Sequence, residues 1–460
     1  MDFTIGQTAH IERLCRAEDL IVFAHASGDL NPLTLPGADK DGDGREDADA
    51  TVEAPAMWVA SLFSALFGAA LPGPGARLVS QSLAFTGPVL VGDTLTIAVE
   101  ITAIAPQGLL TLACRALRAD GAVVASGEAK VRAPATPPLG APSALPQLVV
   151  ARHAQFARLI AACDALAPMK TAVVAPEDAK ALGGAVQAAE RGLIEPILVG
   201  DPARIAAAAK AAGVDASKYQ TIAAASGDAA AAAAVALVKN GAAAALMKGA
   251  LHTDELLHHV VKRDGGLRTG RRITHVFAFD TPGLSHLLYV SDAAITIAPT
   301  LEEKVDIVQN AIDLARALGC ETPRVAVLSA VETVNPKMPS TLDAAALSKM
   351  AERGQIRGGL VDGPLAMDNA VDEGAARTKG LRSTVAGRAD VLIVPNIEAG
   401  NILAKQLSFI SHAEGAGIVL GAAAPIILTS RADDEGSRLA SCAIAVLFED
   451  WRRTGVSRLA

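Results

Sequence analysis

The sequence predicts two folds in one chain: an α+β unit whose antiparallel sheet is wrapped on a single helix, then an α/β unit with a mostly parallel sheet. Three observations carry that expectation. One long apolar helical stretch precedes four consecutive strand-like runs in residues 1–135, a proline-rich linker occupies 136–147, and over 148–460 short apolar runs alternate with Ala-rich helical stretches. A chain of 460 residues also exceeds one ordinary core, so more than one domain is expected.

In the first unit, "EAPAMWVASLFSALFGAAL" (53–71) has the apolar pattern and length of a helix. The runs "ARLVSQSLAF", "DTLTIAVEITAI", "LLTLACRAL" and "AVVASGEAKVRA" follow it, divided by Gly, Pro and Asp, residues that punctuate strands because they favour turns. In "APATPPLGAPSALPQ" (133–147) five prolines fall within fifteen residues. Proline lacks an N–H, so neither a helix interior nor a central strand persists there. Beyond the linker, "TAVVA", "EPILVG", "AAALMKG", "RVAVLSA", "DVLIVPN" and "APIILTS" are the continuous apolar strands that a sheet covered on both faces needs. Ligands of such sheets bind beyond the carboxyl ends of the strands. That singles out Lys248, Glu332, Asn396, Ser430 and Arg431.

Composition narrows the function classes. Hydrophobic residues make up 51% of the chain and aromatics 3%, a globular rather than a disordered composition. The formal net charge of −8 gives no general reason to bind nucleic acid, although a local basic pocket for an anion is compatible with it. The five cysteines, Cys15, Cys114, Cys163, Cys320 and Cys442, form no CxxC pair, so reduced thiols are expected rather than a disulfide scaffold or a zinc site. "MDFTIGQTAH" has no signal pattern, and the Ala-rich region is interrupted by Lys239 and Gly241; a soluble cytoplasmic protein with no membrane partner is expected. His252, His258 and His259 contain no i, i+4 pair, and no metal is expected.

The runs "LMKGALHTDELL", "THVFAFDTPGLSHLLYVSDAAITIAPTLEEKVDIVQNA", "VAVLSAVETVNPKMPSTLDA", "VDGPLAMDNA", "GRADVLIVPNIEAGNILAKQL" and "GAGIVLGAAAPIILTSRAD" stand in the order seen in phosphate acetyl/butyryltransferases. The chain resembles that family over residues 150–455. The resemblance implies two α/β subdomains around a cleft, in which a CoA thiol attacks the carbonyl of an acyl phosphate and phosphate leaves, or the reverse. CoA is then a substrate, and no bound cofactor is expected. The resemblance also implies Ser430 and Arg431 of "TSR" at the reaction centre, with the guanidinium on phosphate. These residue types suit a reaction that needs donors on phosphoryl and developing oxyanion oxygens.

A free thiol is mostly protonated at neutral pH, so a base is needed as well. Acetyl-specific members carry an aspartate seven residues after the serine, where this chain has Ser437; its "SRAD" is similar to the butyryl-type branch. Asp433 is the substitute candidate for the base, with a helix N-terminal carboxylate as its alternative reading. Lys248, Thr253, Asn396, Gly415 and Gly417 are the candidates for substrate binding; Lys248 has a ligand or backbone-positioning role or is equally a solvated strand end. "GAGIVLG" (415–421) gives GxGxxL, which fits close backbone approach to CoA or phosphate better than a dinucleotide fingerprint. Arg271 and Arg272 either hold CoA phosphates or lie solvated.

The first 135 residues carry "FAHASGDLNPL" and "MWVASLFSALFGAALPGPGARLVSQSLAFTGPVLVGDTL". They resemble the R-specific enoyl-CoA hydratases of the MaoC-like family, which have a hot-dog fold. Joined to the second region, the arrangement is similar to the bifunctional enoyl-CoA hydratase/phosphate acetyltransferases. In the hydratases an aspartate and a histidine five residues later deliver water to the double bond. Here Asp29 matches the aspartate, Thr34 stands in the histidine's place, and Asn31 lies between them. A hydroxyl does not shuttle protons near neutral pH as an imidazole does. "APAM" (54–57) replaces the family's "HGM", and Pro55 removes an N–H near the expected thioester carbonyl. Asp39, Asp41, Asp43 and Gly44 match part of a calcium loop, but Ala50 stands at its closing position, so a solvated acidic loop is expected.

The expected protein is a phosphate acyltransferase acting on acyl-CoA or CoA with phosphate or acyl phosphate. Its degenerate hydratase module would serve binding or oligomerisation. The two resemblances also imply self-pairing, usual in both families, so a homodimer or larger even homo-oligomer is expected. Three other readings compete. A retained hydratase would work through Asp29 alone, a noncatalytic acyl-CoA-binding scaffold is disfavoured by the intact "TSR", and a decarboxylating dehydrogenase lacks its metal-binding aspartates.

Overall fold

The computed structural model describes residues 3–38, 40, 49–134, 148, 150, 154–428 and 435–459, with the backbone alone at 50 and 435. The chain forms two compact units, Met1–Val150 and Ala151–Ala460.

In the first unit, β1 (Thr8–Leu14) and α1 (Ala17–Ser27) precede α2 (Ala56–Ala69), β2 (Arg77–Phe85), β3 (Thr94–Ala105), β4 (Leu109–Arg118) and β5 (Val123–Arg132). The strands form one antiparallel sheet in the order β1-β3-β4-β5-β2. Strand periodicity turns Leu95, Ile97, Val99 and Ile101 of β3 inward. They share a core with Trp58, Phe63, Leu66 and Phe67 of α2, each such burial stabilising by about 1.5–3 kcal/mol. The four strand-like runs thus become β2 to β5 around the anticipated helix. Not anticipated was β1, because it lies at the sheet edge with only Ala9 and Ile11 half-buried, too weak a period to read.

The second unit opens with α3 (Ala154–Ala162), β6 (Met169–Val174), α4 (Ala179–Glu190), β7 (Ile194–Gly200), α5 (Pro202–Ala212), β8 (Gln220–Ala223), α6 (Gly227–Lys239), β9 (Ala245–Lys248) and α7 (Thr253–Val260). Local chemistry starts these helices. Asp178 accepts from the Ala181 N–H, Asp201 from Ala203 and Arg204, and Ser226 from Ala229, satisfying donors that lack intrahelical partners. Next come β10 (Thr274–Asp280), β11 (Leu288–Ser291), α8 (Leu301–Ala317), β12 (Arg324–Leu328), α9 (Pro339–Glu352), β13 (Leu360–Leu365), α10 (Met367–Val371), α11 (Glu373–Thr378) and β14 (Val391–Ile393). Thr300 and Glu303 form a reciprocal cap on α8. The unit closes with α12 (Ile397–Phe409), β15 (Glu414–Leu420), β16 (Ile426–Ile427) and α13 (Glu435–Thr454).

All eleven of these strands join one sheet, β13-β12-β14-β11-β10-β15-β16-β9-β6-β7-β8. Seven neighbour pairings are parallel, and three are antiparallel: β10 with β11, β10 with β15, and β15 with β16. The sheet is mostly parallel, as the apolar runs indicate. Three successive reversals through β15, β10 and β11 leave the β8-β7-β6-β9-β16 block running opposite to β11-β14-β12-β13. The carboxyl ends of the two parallel blocks therefore lie on opposite edges of the sheet. The residues that follow the apolar runs are divided between these two edges.

Candidate active site

Three strand ends meet at one edge. Lys248, the last residue of β9, pairs with Val174 at the end of β6, and Ile427 at the end of β16 pairs with Met247. The chain turns sharply there. Gly249 donates to the Val174 carbonyl and Ala250 to that of Ala175, each at 2.8 Å. A Cβ on Gly249 would lie 2.3 Å from the Val174 oxygen, so the close approach requires glycine. The Lys248 ammonium donates to the carbonyl oxygens of Gly249 and Leu251 at 3.2 Å each. These two bonds tie the ammonium to the backbone of the turn.

The turn delivers the chain to α7, which begins at Thr253 and whose N-cap, His252, makes no side-chain cap bond. First-turn N–H groups carry partial positive charge and receive anions. The start of α6 is adjacent: a Cβ on Gly227 would lie 3.5 Å from Glu255 Oε2. Buried His259 ties the two helices together, its Nε2 lying 2.6 Å from Asp228 Oδ1 and its Nδ1 3.1 Å from Lys262 Nζ. An ammonium only donates, so Nδ1 accepts and Nε2–H donates to Asp228. That hydrogen bond holds the Asp228 carboxyl below the usual carboxylate range. Sequence reasoning missed this group, since 31 residues separate its histidine from its aspartate and no local spacing marks the pair. Ser430, Arg431 and Asp433 lie outside the described residues, as do Asp39, Asp41, Asp43 and Gly44 of the calcium-like stretch.

Other candidates are placed elsewhere. Asn396 and Glu332 follow β14 and β12, on the edge opposite Lys248, so the structure does not bring them to it. The Asn396 side chain accepts from the Ala399 N–H at 3.0 Å and caps α12. Glu332 accepts from Lys379 at 3.1 Å, which holds its carboxyl below the usual range. Gly415 and Gly417 lie inside β15. Cβ atoms there would sit 2.8 Å from the Phe279 ring and 2.7 Å from His275 Nε2, and the Gly417 N–H donates to Ser441 Oγ at 3.2 Å. Rings of β10 fill the space, a packing role in place of the anticipated ligand approach. Arg271 and Arg272 are ion-paired with Asp313 and Glu303 of α8. Among the described residues no cluster of His, Cys, Asp and Glu could hold a metal ion. Burial pushes the thiols of Cys15, Cys114, Cys163 and Cys442 up to about 12, and that of Cys320 up to about 11, so each is protonated at neutral pH.

In the first unit, Asp29, Asn31 and Thr34 share one loop after α1. Asp29 Oδ1 accepts from the Asn31 N–H at 3.1 Å, Asn31 Oδ1 from the Leu33 N–H at 3.1 Å, and the Thr34 hydroxyl donates to the Asn31 carbonyl at 3.2 Å. Each side chain holds the loop backbone. The Ala54 N–H donates to the Val89 carbonyl at 2.7 Å, and Pro55 is the N-cap of α2. Neither residue offers an N–H at the start of that helix.

The family described as phosphate acetyl/butaryl transferase matches residues 225–446, from the turn between β8 and α6 into α13. A phosphate acetyltransferase of Rhizobium meliloti is 56% identical over 303 residues, which cover 66% of this chain and 96% of that protein. The chain belongs to the phosphate acetyl/butyryltransferase family. A phosphate butyryltransferase of Clostridium acetobutylicum is 42% identical over 278 residues, covering 60% of this chain and 92% of that protein. A branched-chain phosphotransacylase from Enterococcus faecalis V583 aligns with a TM-score of 0.54 and 29% identity, over 61% of this chain and 99% of its own. This phosphate acetyl/butyryltransferase is an acyltransferase, and its α/β unit carries the phosphotransacylase fold. Among the described residues, no helix of this transferase is long and apolar enough to cross a membrane.

Proposed function

We propose that the chain moves a short acyl group between CoA and inorganic phosphate, in the cytoplasm and without a bound cofactor. The observation that carries this reading is 56% identity along 96% of a phosphate acetyltransferase. In the direction that consumes acyl phosphate, the CoA sulfur bonds to the carbonyl carbon, the bond from that carbon to the phosphate oxygen breaks, and phosphate leaves. The thiol proton passes to Asp433. Arg431 clamps the departing phosphate, and Ser430 orients the carbonyl. Lys248 holds the turn that presents Thr253 and the start of α7 to the anionic substrate. The protonated state of the five cysteines supports direct attack by CoA over an acyl-cysteine intermediate. The two oppositely running parallel blocks would be two subdomains. Incubation with CoA and acetyl, propionyl or butyryl phosphate should raise thioester absorbance; no thioester from any of them would overturn the reading.

The first unit would be a hot-dog module without hydratase activity that serves oligomerisation. The bonds made by Asp29 and Thr34 within their own loop support this. So does the outer edge of β2, where Leu78, Val79 and Phe85 are 46%, 55% and 42% exposed. The opposite edge, β1, carries Glu12 and Arg13, charges of the kind that block strand pairing. A second copy would pair along β2 into a homodimer, and Val79→Lys should shift the scattering mass to that of a smaller species.

A further inference from the structure

A pocket of about 230 Å³ lies at the amino ends of β11 and β14, between α3 and the segment after α8. It shares no residue with the site described above. It is smaller than the roughly 300–1,000 Å³ of sites that enclose drug-sized molecules, so its occupant is small. Leu159, Leu287 and Leu318 give it an apolar wall.

Its polar groups have opposite signs. Asp390 is largely buried; its Oδ2 accepts from the Arg324 N–H at 2.8 Å, while its Oδ1 lies 3.9 Å from His286 Nε2, beyond hydrogen-bond reach. Arg158 is exposed and donates one N–H to the Leu459 carbonyl at 3.1 Å; a guanidinium has further donors to offer. Burial first, and then the charge of the Asp390 carboxylate and its hydrogen bond with the thiol, raise Cys320 to about 11, so the pocket holds no thiolate at neutral pH.

We propose that this pocket binds a small zwitterion, an aliphatic α-amino acid. Its carboxylate would pair with Arg158, its ammonium with Asp390 Oδ1, and its side chain would cover the leucine wall. A carboxylic acid without the ammonium would face the Asp390 charge, and an amine without the carboxylate would face Arg158.

The test is calorimetric titration of the full chain with L-leucine near neutral pH, against isocaproate, which lacks the ammonium, and isoamylamine, which lacks the carboxylate. Leucine should bind with a Kd of about 1 mM or tighter, and each analogue roughly tenfold or more weaker. Arg158→Gln and Asp390→Asn should each weaken leucine by about tenfold while leaving acyl transfer unchanged, since asparagine keeps an acceptor for the Arg324 N–H. Arg158→Gln, on an exposed side chain, keeps the test open if Asp390→Asn fails to fold. No heat with leucine up to about 10 mM, equal binding of isocaproate, or leucine binding that survives substitution would each overturn the proposal.

Discussion

His275 of β10 fills the space that Gly417 of β15 leaves open: a Cβ on the glycine would lie 2.7 Å from His275 Nε2 and 3.3 Å from the Phe277 ring. The two residues sit on neighbouring antiparallel strands. Neither the imidazole nor the sheet backbone has room to retreat, because His275 is buried. Gly417→Ala should therefore destabilise the second unit by about 1–3 kcal/mol through overpacking, measured as a lowered urea midpoint. Acyl transfer per folded molecule should be unchanged. Full stability with lost activity would restore the ligand-approach reading of this glycine.

His275 also sets a pH dependence. Burial pulls its imidazole down from 6.5 to about 4, so the folded chain keeps it neutral where the unfolded chain takes up a proton. The stability it contributes is present above pH 6.5 and is lost as pH falls toward 4, by about 3 kcal/mol in total. His275→Gln should flatten the fall in urea midpoint between neutral pH and pH 5. Identical slopes for the two proteins would show that other groups dominate this window.

Arg431→Ala should lower acyl-transfer turnover by roughly a hundredfold or more with the fold intact, because it removes a charge-assisted clamp on the departing phosphate. Ser430→Ala should have the smaller effect, since a hydroxyl orients groups without carrying charge. Steady-state kinetics with acyl phosphate and circular dichroism check both, and near wild-type turnover in Arg431→Ala would place the reaction elsewhere.

Wild-type protein should hydrate crotonyl-CoA slowly or not at all, since the missing acid or base is worth about 10² to 10⁴ in rate. Thr34→His should fail as well. The Ala54 N–H is engaged by Val89, and Pro55 has none, so an imidazole alone does not restore the donors a thioester carbonyl needs. Substantial activity in that single variant would show that the start of α2 was never a defect.

Residue order alone determined much of this protein. The apolar runs with their turn residues locate β2 to β5 and α2. Asp178, Asp201, Ser226 and Thr300 start their helices through neighbours within three residues. These are short-range signals, legible because periodicity, capping and the missing proline N–H act between residues close in sequence. "TSR" and the ordered runs around it likewise point to the family from residue order alone.

Tertiary structure decided what depends on the path of the chain between distant segments. The reversals at β15, β10 and β11 send Lys248 and Asn396 to opposite sheet edges, although both follow apolar runs of the same kind. A strand's direction relative to its neighbour is set by how the chain returns to it, which no apolar run records. The same holds for side chains that meet across long separations. His259 with Asp228, Gly417 with His275, and the pocket joining Arg158 to Asp390 each unite residues from different elements, and only the packed sheet and helices bring them within contact.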